Sequence, residues 1–568
     1  MSLTSALQVG RSGLLTSQAA IETAGNNLSN IATRGYHRQE LVVSPSGANE
    51  ISNGVFVGRG VQISEIIRRI DTALESRLRG SIADQSSALA RQEVLSQIES
   101  IQNELTGTDL TTALNEFFNA FGELSNQPLD TSLRTLVVSR GDTLSQQIQE
   151  LRRNLVDLRT QVEGRLTSGA TRADDLLSQI ESVSTQIVAS EGGQGGANSL
   201  RDQRDVLLGE LSKYLDISVN ENPSGSIDVF VGSIPIMLNG KSRGVEVRTT
   251  SAGSSIQHDL VVSADGSTLL SDTGELGALM KLRQEDLVDA IQGLDDFTGA
   301  LIQQVNQVHS QGQGSTGFST LTGETIVADT AVALNDPTAG LAFPPQHGSF
   351  QIHVTQKSTG QRVSTTINVD LDGINPAADT SLTSLAADLN GVTNLTATVT
   401  SNGKLRLAAD SSDFVFSFSD DTSGALASLG VNTFFTGGNS FDIGVNQVIL
   451  NDASKVAAAR DHIAGDNRNA LALVGLRTQK LEALGGRSLP EVWSANVEKN
   501  AIKVSQAVSR VEATSVVRET LESQKQQFSG VNVDEEAINL LSFQRMFQAS
   551  ARFLNVVDQM METLLQLA

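Results

Sequence analysis

Both ends of the chain carry the same pattern of small and apolar side chains. In each segment these side chains follow one another at alternating distances of four and three positions, an average of about 3.5 residues. The pattern occupies Leu3, Leu7, Gly10, Leu14, Ser17, Ile21, Ala24, Leu28 and Ile31 at the beginning, and Leu540, Phe543, Phe547, Ser550, Leu554, Val557, Met561 and Leu564 at the end. Because this period aligns side chains along one side of a helix, each end is predicted to form a helix with a narrow apolar stripe.

The two stripes have two possible explanations. They could belong to ordinary amphipathic helices that cap a domain, or to helices that pair with each other and fold on assembly. Gly10, Gly13 and Gly25 favour the second explanation, since each weakens the first helix by up to about 1 kcal/mol relative to Ala. Arg11 and Glu22 are the only charged side chains of that helix, too few to keep a lone helix soluble. We therefore expect a segment that is marginal alone and becomes ordered against neighbouring molecules.

The composition excludes several classes of partner and site. The chain of 568 residues has 41 basic and 64 acidic side chains, which gives a formal net charge of −23. This balance disfavours nucleic acids and anionic membranes, because binding to both depends on clustered Lys and Arg. The absence of Cys excludes disulfides and Cys-ligated metals. No apolar run is long enough to span a bilayer, and no cleavable signal is recognisable at the start. We expect a protein that is either cytoplasmic or exported without a cleaved signal.

The middle of the chain alternates between helical and strand periodicity. Helical spacing predominates over residues 65–190, and a small strand-rich patch follows near residues 215–265. Residues 312–446 contain alternating apolar side chains and an Asn402-Gly403 hairpin signal. The predicted fold is mainly α with an inserted β-rich domain, an α+β multidomain protein in which the terminal helices pair as a coiled coil.

Three nested parts are expected from this pattern. Residues 1–60 with 530–568 are predicted to form a terminal coiled-coil assembly domain. Residues 61–311 with 447–529 would form a helical domain with the small β-hairpin patch, and residues 312–446 an inserted outer β-rich domain. A domain far from both ends projects away from whatever the ends pack into, which suits a subunit of a tube. A monomeric multidomain protein with adjacent termini fits the same layout.

Three motifs resemble binding sites but occur in an unsuitable context. Residues 312–317 have the spacing of a dinucleotide-binding loop, but they follow a helix rather than a strand. Residues 368–373 resemble the beginning of a calcium loop, although Asp379 stands at the position of the bidentate Glu. His347 and His353 lack a third metal ligand nearby in the sequence. We therefore predict no catalytic residue, no cofactor and no metal site.

A polar motif follows the first helix. Asn26, Asn27 and Asn30 lie where this helix ends, so their side chains can pair with backbone groups that the last turn leaves free. Gly35 suits a turn with a positive φ angle, and Tyr36 begins a more extended stretch. This segment either only stops the helix or contributes to an interaction surface, and we favour the interaction surface.

The same residues resemble the N-terminal signature of bacterial flagellar axial proteins. The sequence is Gly25-Asn26-Asn27-Leu28-Ser29-Asn30 followed by Thr33-Arg34-Gly35-Tyr36, and Ala is usual in the family where this chain has Gly25 and Ser29. Residues 530–536, 540–544 and 548–551 resemble the C-terminus of the hook-associated protein 1 family, with Phe547 where Tyr is frequent.

The resemblance implies a non-enzymatic structural subunit at the junction between flagellar hook and filament. The implied partners are the hook protein, hook-associated protein 3, other copies of the chain in a ring-like assembly, and a cytoplasmic export chaperone on the C-terminal helix, with no nucleic acid and no membrane. The implied location is extracellular, after export through the flagellar type III apparatus.

The predicted assembly interface lies on both ends of the chain. Its residues are Leu3, Leu7, Leu14, Ile21, Asn26, Asn27, Leu28, Asn30, Ile31, Gly35, Tyr36, Phe543, Gln544, Phe547, Leu554, Val557, Met561 and Leu564. Two alternatives stay open. The chain could be another axial subunit, such as a hook or rod protein, or a secreted enzyme or adhesin whose activity lies in the β-rich insertion.

Overall fold

The chain folds into two compact units, each of which combines segments that are distant in the sequence. Unit 1 contains residues 1–94, 161–283 and 505–568, and unit 2 contains residues 95–160 and 284–504. The computed structural model describes residues 3–52, 55–102, 109–192, 196–252, 255–375, 378–460, 463 and 465–567.

Helices predominate among the described residues. They are α1 (Leu3–Ser29), α2 (Thr72–Gln102), α3 (Leu110–Asn126), α4 (Thr131–Glu191), α5 (Asn198–Tyr214), α6 (Gly274–Lys281), α7 (Leu287–His309), α8 (Leu382–Asn390), α9 (Ala425–Ser428), α10 (Gln447–Asn451), α11 (Arg468–Gly475), α12 (Leu489–Ser529) and α13 (Val533–Leu567). Side-chain caps mark several of their starts: Asp109 accepts a hydrogen bond from the Thr112 amide, and Ser381 accepts one from the Ser384 amide. None of the described helices combines the length and the hydrophobicity that crossing a membrane requires.

The strands form small antiparallel sheets. They are β1 (Gln39–Pro45), β2 (Ala48–Ser52), β3 (Val55–Gly58), β4 (Val61–Arg68), β5 (Ile217–Glu221), β6 (Ile227–Val231), β7 (Ile234–Leu238), β8 (Lys241–Ser242), β9 (Val245–Ala252), β10 (Ser255–Val262), β11 (Thr320–Thr322), β12 (Gly348–Gln356), β13 (Arg362–Val369), β14 (Leu395–Val399), β15 (Leu405–Ala409), β16 (Phe414–Ser419), β17 (Phe435–Thr436) and β18 (Gly444–Val445). The larger sheets have the strand orders β5-β6-β7-β8, β13-β12-β16 and β11-β15-β14.

Unit 1 contains both ends of the chain. The helices α1 and α13 pack against each other in antiparallel directions, and α1 also contacts the two-stranded ribbon of β1 and β4. In the four-stranded sheet, Ile227, Val229 and Val231 of β6 are buried, because alternate side chains of a strand point to one face. These contacts position the N-terminal motif between α1, β1 and the start of α13.

Unit 2 contains an aromatic cluster and the β-rich insertion. The ring of Phe117 on α3 lies 5.3 Å from that of Phe434 and 5.4 Å from that of Phe435, so that the residues around β17 pack onto the helix. A separate hydrophobic core joins the sheets of β12 and β15 to α8, with Phe350, Phe416 and Leu385 among its buried members. The insertion therefore has a core of its own.

The predicted fold class is confirmed: the chain is mainly helical, with small antiparallel sheets and packed terminal helices. Gly403 has a φ angle of +74° in the turn between β14 and β15, as the Asn-Gly hairpin signal predicts. The predicted helical start near Glu65 is wrong, because β4 pairs with β1 as far as Arg68 and α2 begins only at Thr72. The division into three nested parts stays a prediction.

Candidate assembly interface

Close packing between α1 and α13 explains the glycines of the first helix. A Cβ atom added to Gly10 would lie 2.7 Å from Cδ2 of Leu554, and one added to Gly13 would lie 2.9 Å from Oγ of Ser550. Both distances are shorter than real Cβ contacts, so glycine is what allows the two helices to approach this closely. Gly10 and Gly13, which weaken α1 as an isolated helix, therefore favour its pairing with α13.

The predicted interface residues are distributed over three classes of exposure. Asn27 and Val557 are buried; Leu3, Leu7, Leu14, Ile21, Asn30, Gly35, Tyr36, Phe543, Phe547, Leu554 and Met561 are half-buried; Asn26, Leu28, Ile31, Gln544 and Leu564 are exposed. The C-terminal stripe from Phe543 to Met561 thus lies on the side of α13 that is shielded from solvent, whereas the end of α1 is open. Their role as contacts between molecules stays a prediction.

A second apolar surface of α13 was missed by the sequence analysis. We call it the outer face of α13, and it consists of Ile538, Leu541, Met546, Phe553, Val556 and Met560, each between 44% and 67% exposed. Met546, Phe553 and Met560 are spaced seven residues apart, which places them along one line of the helix. The sequence also contains this spacing, but the predicted interface was assigned to the more regular stripe between Leu540 and Leu564. Phe553 borders α1, with its Cδ1 3.0 Å from the position of a Cβ on Gly10, and the other members of this face are more than half exposed.

Asn27 connects three parts of unit 1. Its amide Nδ2 donates to the Gln39 carbonyl at 2.9 Å and to Oε2 of Glu536 at 3.3 Å. Its Oδ1 accepts hydrogen bonds from the Gln39 amide at 2.9 Å and from the Tyr36 hydroxyl at 2.8 Å. Asn30 instead donates to the Asn26 carbonyl at 3.0 Å, within the last turn of α1. The motif therefore both ends the helix and fixes α1 to β1 and α13.

Gly35 makes the turn after α1 possible, as predicted. Its φ angle is +81°, and an added Cβ would lie 2.2 Å from Cγ2 of Val206 on α5. The turn brings Tyr36 back to Asn27. Burial, together with the negative charges of Asp202 and Glu536, raises the pKa of Tyr36 to about 12, so the hydroxyl stays protonated as a donor.

A buried ion-pair network follows the turn. The ring of His37 is fully buried, with Nδ1 at 2.7 Å from Oδ1 of Asp202 and Nε2 at 3.3 Å from Oε1 of Glu75. Burial alone would lower the pKa of His37, but the hydrogen bonds to the two carboxylates outweigh it and raise the pKa above its usual value. Burial alone would raise the pKa of Glu75. The hydrogen bond to His37 and the ammonium group of Lys525, 2.7 Å away, outweigh burial and lower this pKa to about 2. The two carboxylates therefore favour the protonated form of His37.

This network has the residues of a metal site but is occupied by a side chain. Ligand atoms of His37, Asp202 and Asp205 lie within 4.8 Å of one another. However, Nη1 of Arg68 lies 2.8 Å from Oδ1 of Asp202 and 2.7 Å from Oδ2 of Asp205. The guanidinium therefore neutralises the two carboxylates that a cation would need, and the arrangement is an ion-pair network of the protein itself.

Sequence reasoning did not assign a role to His37, which directly follows the N-terminal signature, to Asp202 on α5, or to Glu536 in the C-terminal segment 530–536. Nε of Arg38 lies 2.7 Å from Oε1 of Glu536, so the first turn of α13 is held by both Asn27 and Arg38. The signal that could have identified some of these residues is their chemistry, because His37 and Arg38 follow one quoted segment and Glu536 is a carboxylate of another.

Comparisons with known proteins agree with the resemblance along the whole chain. Residues 95–325 match the family described as the flagellar hook-associated protein FlgK helical domain. Residues 523–567 match the family described as the flagellar basal body rod FlgEFG protein C-terminal.

Full-length relatives carry the same description. Flagellar hook-associated protein 1 of Escherichia coli (strain K12) is 26% identical over 577 residues, which cover 100% of both chains. The protein of the same name from Bacillus subtilis (strain 168) is 23% identical over 570 residues, covering 98% of this chain and 96% of that protein. The solved structure of the flagellar hook junction protein FlgK from Burkholderia pseudomallei has a similar fold, with a TM-score of 0.52 at 16% identity over 80% of this chain and 100% of that one.

Proposed function

Because the chain belongs to the flagellar hook-associated proteins, a structural and non-enzymatic family, we propose that it is the subunit that joins the flagellar hook to the filament. A member of this family associates with other axial components of the flagellum. The proposed neighbours are the hook protein on one side, hook-associated protein 3 on the other, and copies of this chain in a ring. The proposed location is extracellular, at the hook–filament junction.

The outer face of α13 is the observation that supports this proposal best. The helix buries one side against α1 and leaves a second row of large apolar side chains exposed to water. Continuous apolar surface of this kind mostly marks a site of association. A contact between this face and a different surface of a neighbour is heterologous, and repeated heterologous contacts give rings or tubes rather than closed pairs.

The terminal helices are proposed to reach their final order during assembly. Gly10 and Gly13 weaken α1 outside its pair with α13, so neighbouring molecules that clamp the pair would add to its stability. Before assembly the outer face of α13 would invite aggregation, which gives an export chaperone a reason to cover this helix. The proposed export route is the flagellar type III apparatus, and the proposed final state of the helices is a coiled coil.

Incubation of isolated hooks with the purified full-length chain tests the proposal. We expect electron microscopy to show a cap of limited thickness at the hook end, which then binds hook-associated protein 3. The variant Met560→Ser, on the outer face of α13, should lose capping. Ile374→Ser is the matched control, because Ile374 is 85% exposed but lies in unit 2. Failure of the unmodified chain to bind hooks would contradict the proposal.

A hook or rod subunit is the second candidate function. The match of residues 523–567 to the C-terminal family of rod proteins favours it, since that segment is shared among axial proteins. The hook experiment separates the two candidates by the length of the product. Continuous extension of the hook identifies a hook or rod subunit, whereas a cap that stops growing identifies a junction subunit.

An adhesive role for the β-rich insertion is tested by removing residues 320–445. The junction function predicts that this deletion leaves capping intact, because the insertion has a hydrophobic core of its own. Loss of the essential function with intact capping would point to an activity in the insertion.

A further inference from the structure

Unit 1 contains a cavity of about 520 Å³, and Ile31, Gly35 and Tyr36 of the predicted assembly interface form one edge of it. Its walls are the turn after α1, the N-terminal half of α2, the α5 helix and the C-terminal part of α12. A cavity of this size holds a small organic molecule or several side-chain groups of a partner.

Charged side chains dominate the wall. The cations are Arg34, Arg79, Lys213, Arg518 and Lys525, and the carboxylates are Glu75, Asp205, Glu210 and Glu522. His37 also lines the wall, and its two carboxylate partners favour its protonated form. Cations therefore outnumber carboxylates on the cavity wall, although the whole chain has a formal net charge of −23.

Every carboxylate of the wall already has a cationic partner. Glu75 lies 2.7 Å from Lys525, Asp205 lies 2.7 Å from Arg68, Glu210 lies 2.7 Å from both Arg34 and Lys213, and Glu522 lies 3.0 Å from Arg518. Glu210 is shared by two cations, and none of the four carboxylates is left to neutralise a further charge.

Arg79 is the cation without a partner. Within the described part of the chain it forms neither an ion pair nor a hydrogen bond, and its Nε is fully shielded from solvent with nothing to donate to. Burial lowers the pKa of the Arg79 guanidinium, and the more distant charges of Asp205 and Glu75 do not compensate. Arg79 as a whole is half-buried, and a guanidinium whose Nε is shielded from water without an acceptor is unfavourable, because native proteins mostly pair or hydrogen-bond such groups.

We propose that this cavity is a binding site for an oxyanion, a carboxylate or a phosphate, that pairs with Arg79. The planar guanidinium offers parallel N–H donors that match two oxygens of one carboxylate or phosphate group. The oxyanion comes either from a free small molecule or from an Asp or Glu side chain of a second copy of the chain. All walls of the site belong to unit 1.

The first experiment uses the full-length chain at concentrations where it is monomeric. Inorganic phosphate and citrate are titrated at constant ionic strength, with heat of binding and melting temperature as readouts. We expect saturable binding that Arg79→Gln weakens by about tenfold or more, as loss of a charge-assisted pair does. Arg77→Gln is the matched control, because Arg77 lies on the same helix, is exposed and does not line the cavity.

Removal of an unpaired charge should leave the fold intact, so in anion-free buffer Arg79→Gln should melt no lower than the unmodified chain. Should Arg79→Gln fail to fold, Arg79→Lys replaces it, since this variant keeps the charge but loses the paired donors. If neither anion binds, or if Arg79→Gln and Arg77→Gln weaken binding equally, a free small molecule is excluded as the source of the oxyanion.

The second experiment distinguishes the source of the oxyanion. Sedimentation equilibrium measures self-association of the unmodified chain, Arg79→Gln and Arg77→Gln without added anion. A weaker association in the Arg79 variant alone supports a carboxylate from a second copy. If neither phosphate, citrate nor self-association depends on Arg79, the proposed site is overturned, whether or not the chain caps hooks.

Discussion

The side-chain amide of Asn27 donates a hydrogen bond to Glu536, a residue 509 positions later in the chain. The distance between Nδ2 of Asn27 and Oε2 of Glu536 is 3.3 Å, and both side chains are buried. This contact lies where α1 ends and α13 begins. The hydrogen-bonded ends and the glycine-lined packing of the pair therefore act together to fix the register of the two terminal helices.

Replacement of Asn27 tests whether its hydrogen bonds fix the register of α1 and α13. Asn27→Ala removes one hydrogen bond of the Glu536 carboxylate and the side-chain partner of both backbone groups of Gln39, so we expect the free energy of unfolding of unit 1 to fall by ~2–4 kcal/mol. Urea unfolding followed by circular dichroism measures the loss. Asn26→Ala is the control, since Asn26 is exposed and, among the described residues, its side chain pairs with Asn30 alone, and its effect should stay within about 0.5 kcal/mol. Equal losses in both variants would contradict the connecting role.

Two glycines of α1 are expected to respond in opposite directions. Gly10→Val introduces atoms where Cδ2 of Leu554 already lies, and overpacking of this kind costs about 1–3 kcal/mol. Gly25→Ala adds a Cβ with no atom within 4 Å, so the gain in helix propensity, up to about 1 kcal/mol, should appear as higher stability. Helix melting of the two variants measures both effects. Stabilisation by Gly10→Val would show that close approach of α13 is not required.

Adjacent valines of α13 separate folding from assembly. Val556 is 54% exposed on the outer face of α13, whereas Val557 is 4% exposed against α1. Val556→Ser should change the free energy of unfolding by less than about 0.5 kcal/mol and abolish binding to hooks, because only contacts between molecules are lost. Val557→Ser should lower the free energy of unfolding by ~1–3 kcal/mol. Hook binding of Val556→Ser that equals that of the unmodified chain would exclude the outer face from the interface.

His309 makes unit 2 sensitive to acid. Its fully buried ring donates from Nδ1 to the Asn432 carbonyl at 2.8 Å and accepts at Nε2 from the Ala457 amide at 2.9 Å, which requires the neutral form. Burial lowers its pKa to about 4. A lowered pKa means that its contribution to stability is present above the unfolded value of about 6.5 and decreases as pH falls toward 4, by about 3 kcal/mol in all.

Stability measurements between pH 4 and pH 7 check this prediction. The difference in unfolding free energy between the unmodified chain and His309→Gln should shrink steadily as pH decreases through that range. A difference that is constant with pH would mean that His309 does not change its protonation on unfolding.

His37 gives unit 1 the opposite response. Because its hydrogen bonds to Asp202 and Glu75 raise its pKa, its contribution is fully present below the unfolded value and is lost as pH rises through the raised value. We expect His37→Gln to reduce stability most at mildly acidic pH and progressively less above neutrality. Hydrogen exchange of unit 1 amides, compared at pH 6 and pH 8 after correction for intrinsic rates, measures the effect. A loss that grows with pH would show that the ring is neutral in the folded protein.

The sequence by itself determined the local features. The 3.5-residue period specified the helices α1 and α13 and the side that α13 turns inward, since a regular spacing needs no knowledge of distant residues. The Asn402-Gly403 turn and the turn at Gly35 were equally local, because few residues other than glycine adopt their positive φ angles.

Only the tertiary structure decided which groups meet. His37 pairs with Asp202, 165 positions away, and Asn27 pairs with Glu536, so neither contact leaves a periodic trace in the sequence. The same holds for Arg79, whose lack of a partner becomes visible only after every neighbouring carboxylate is seen to be paired. Periodicity reports which side of an element is apolar, whereas the partner of a charge depends on chain segments that folding alone brings together.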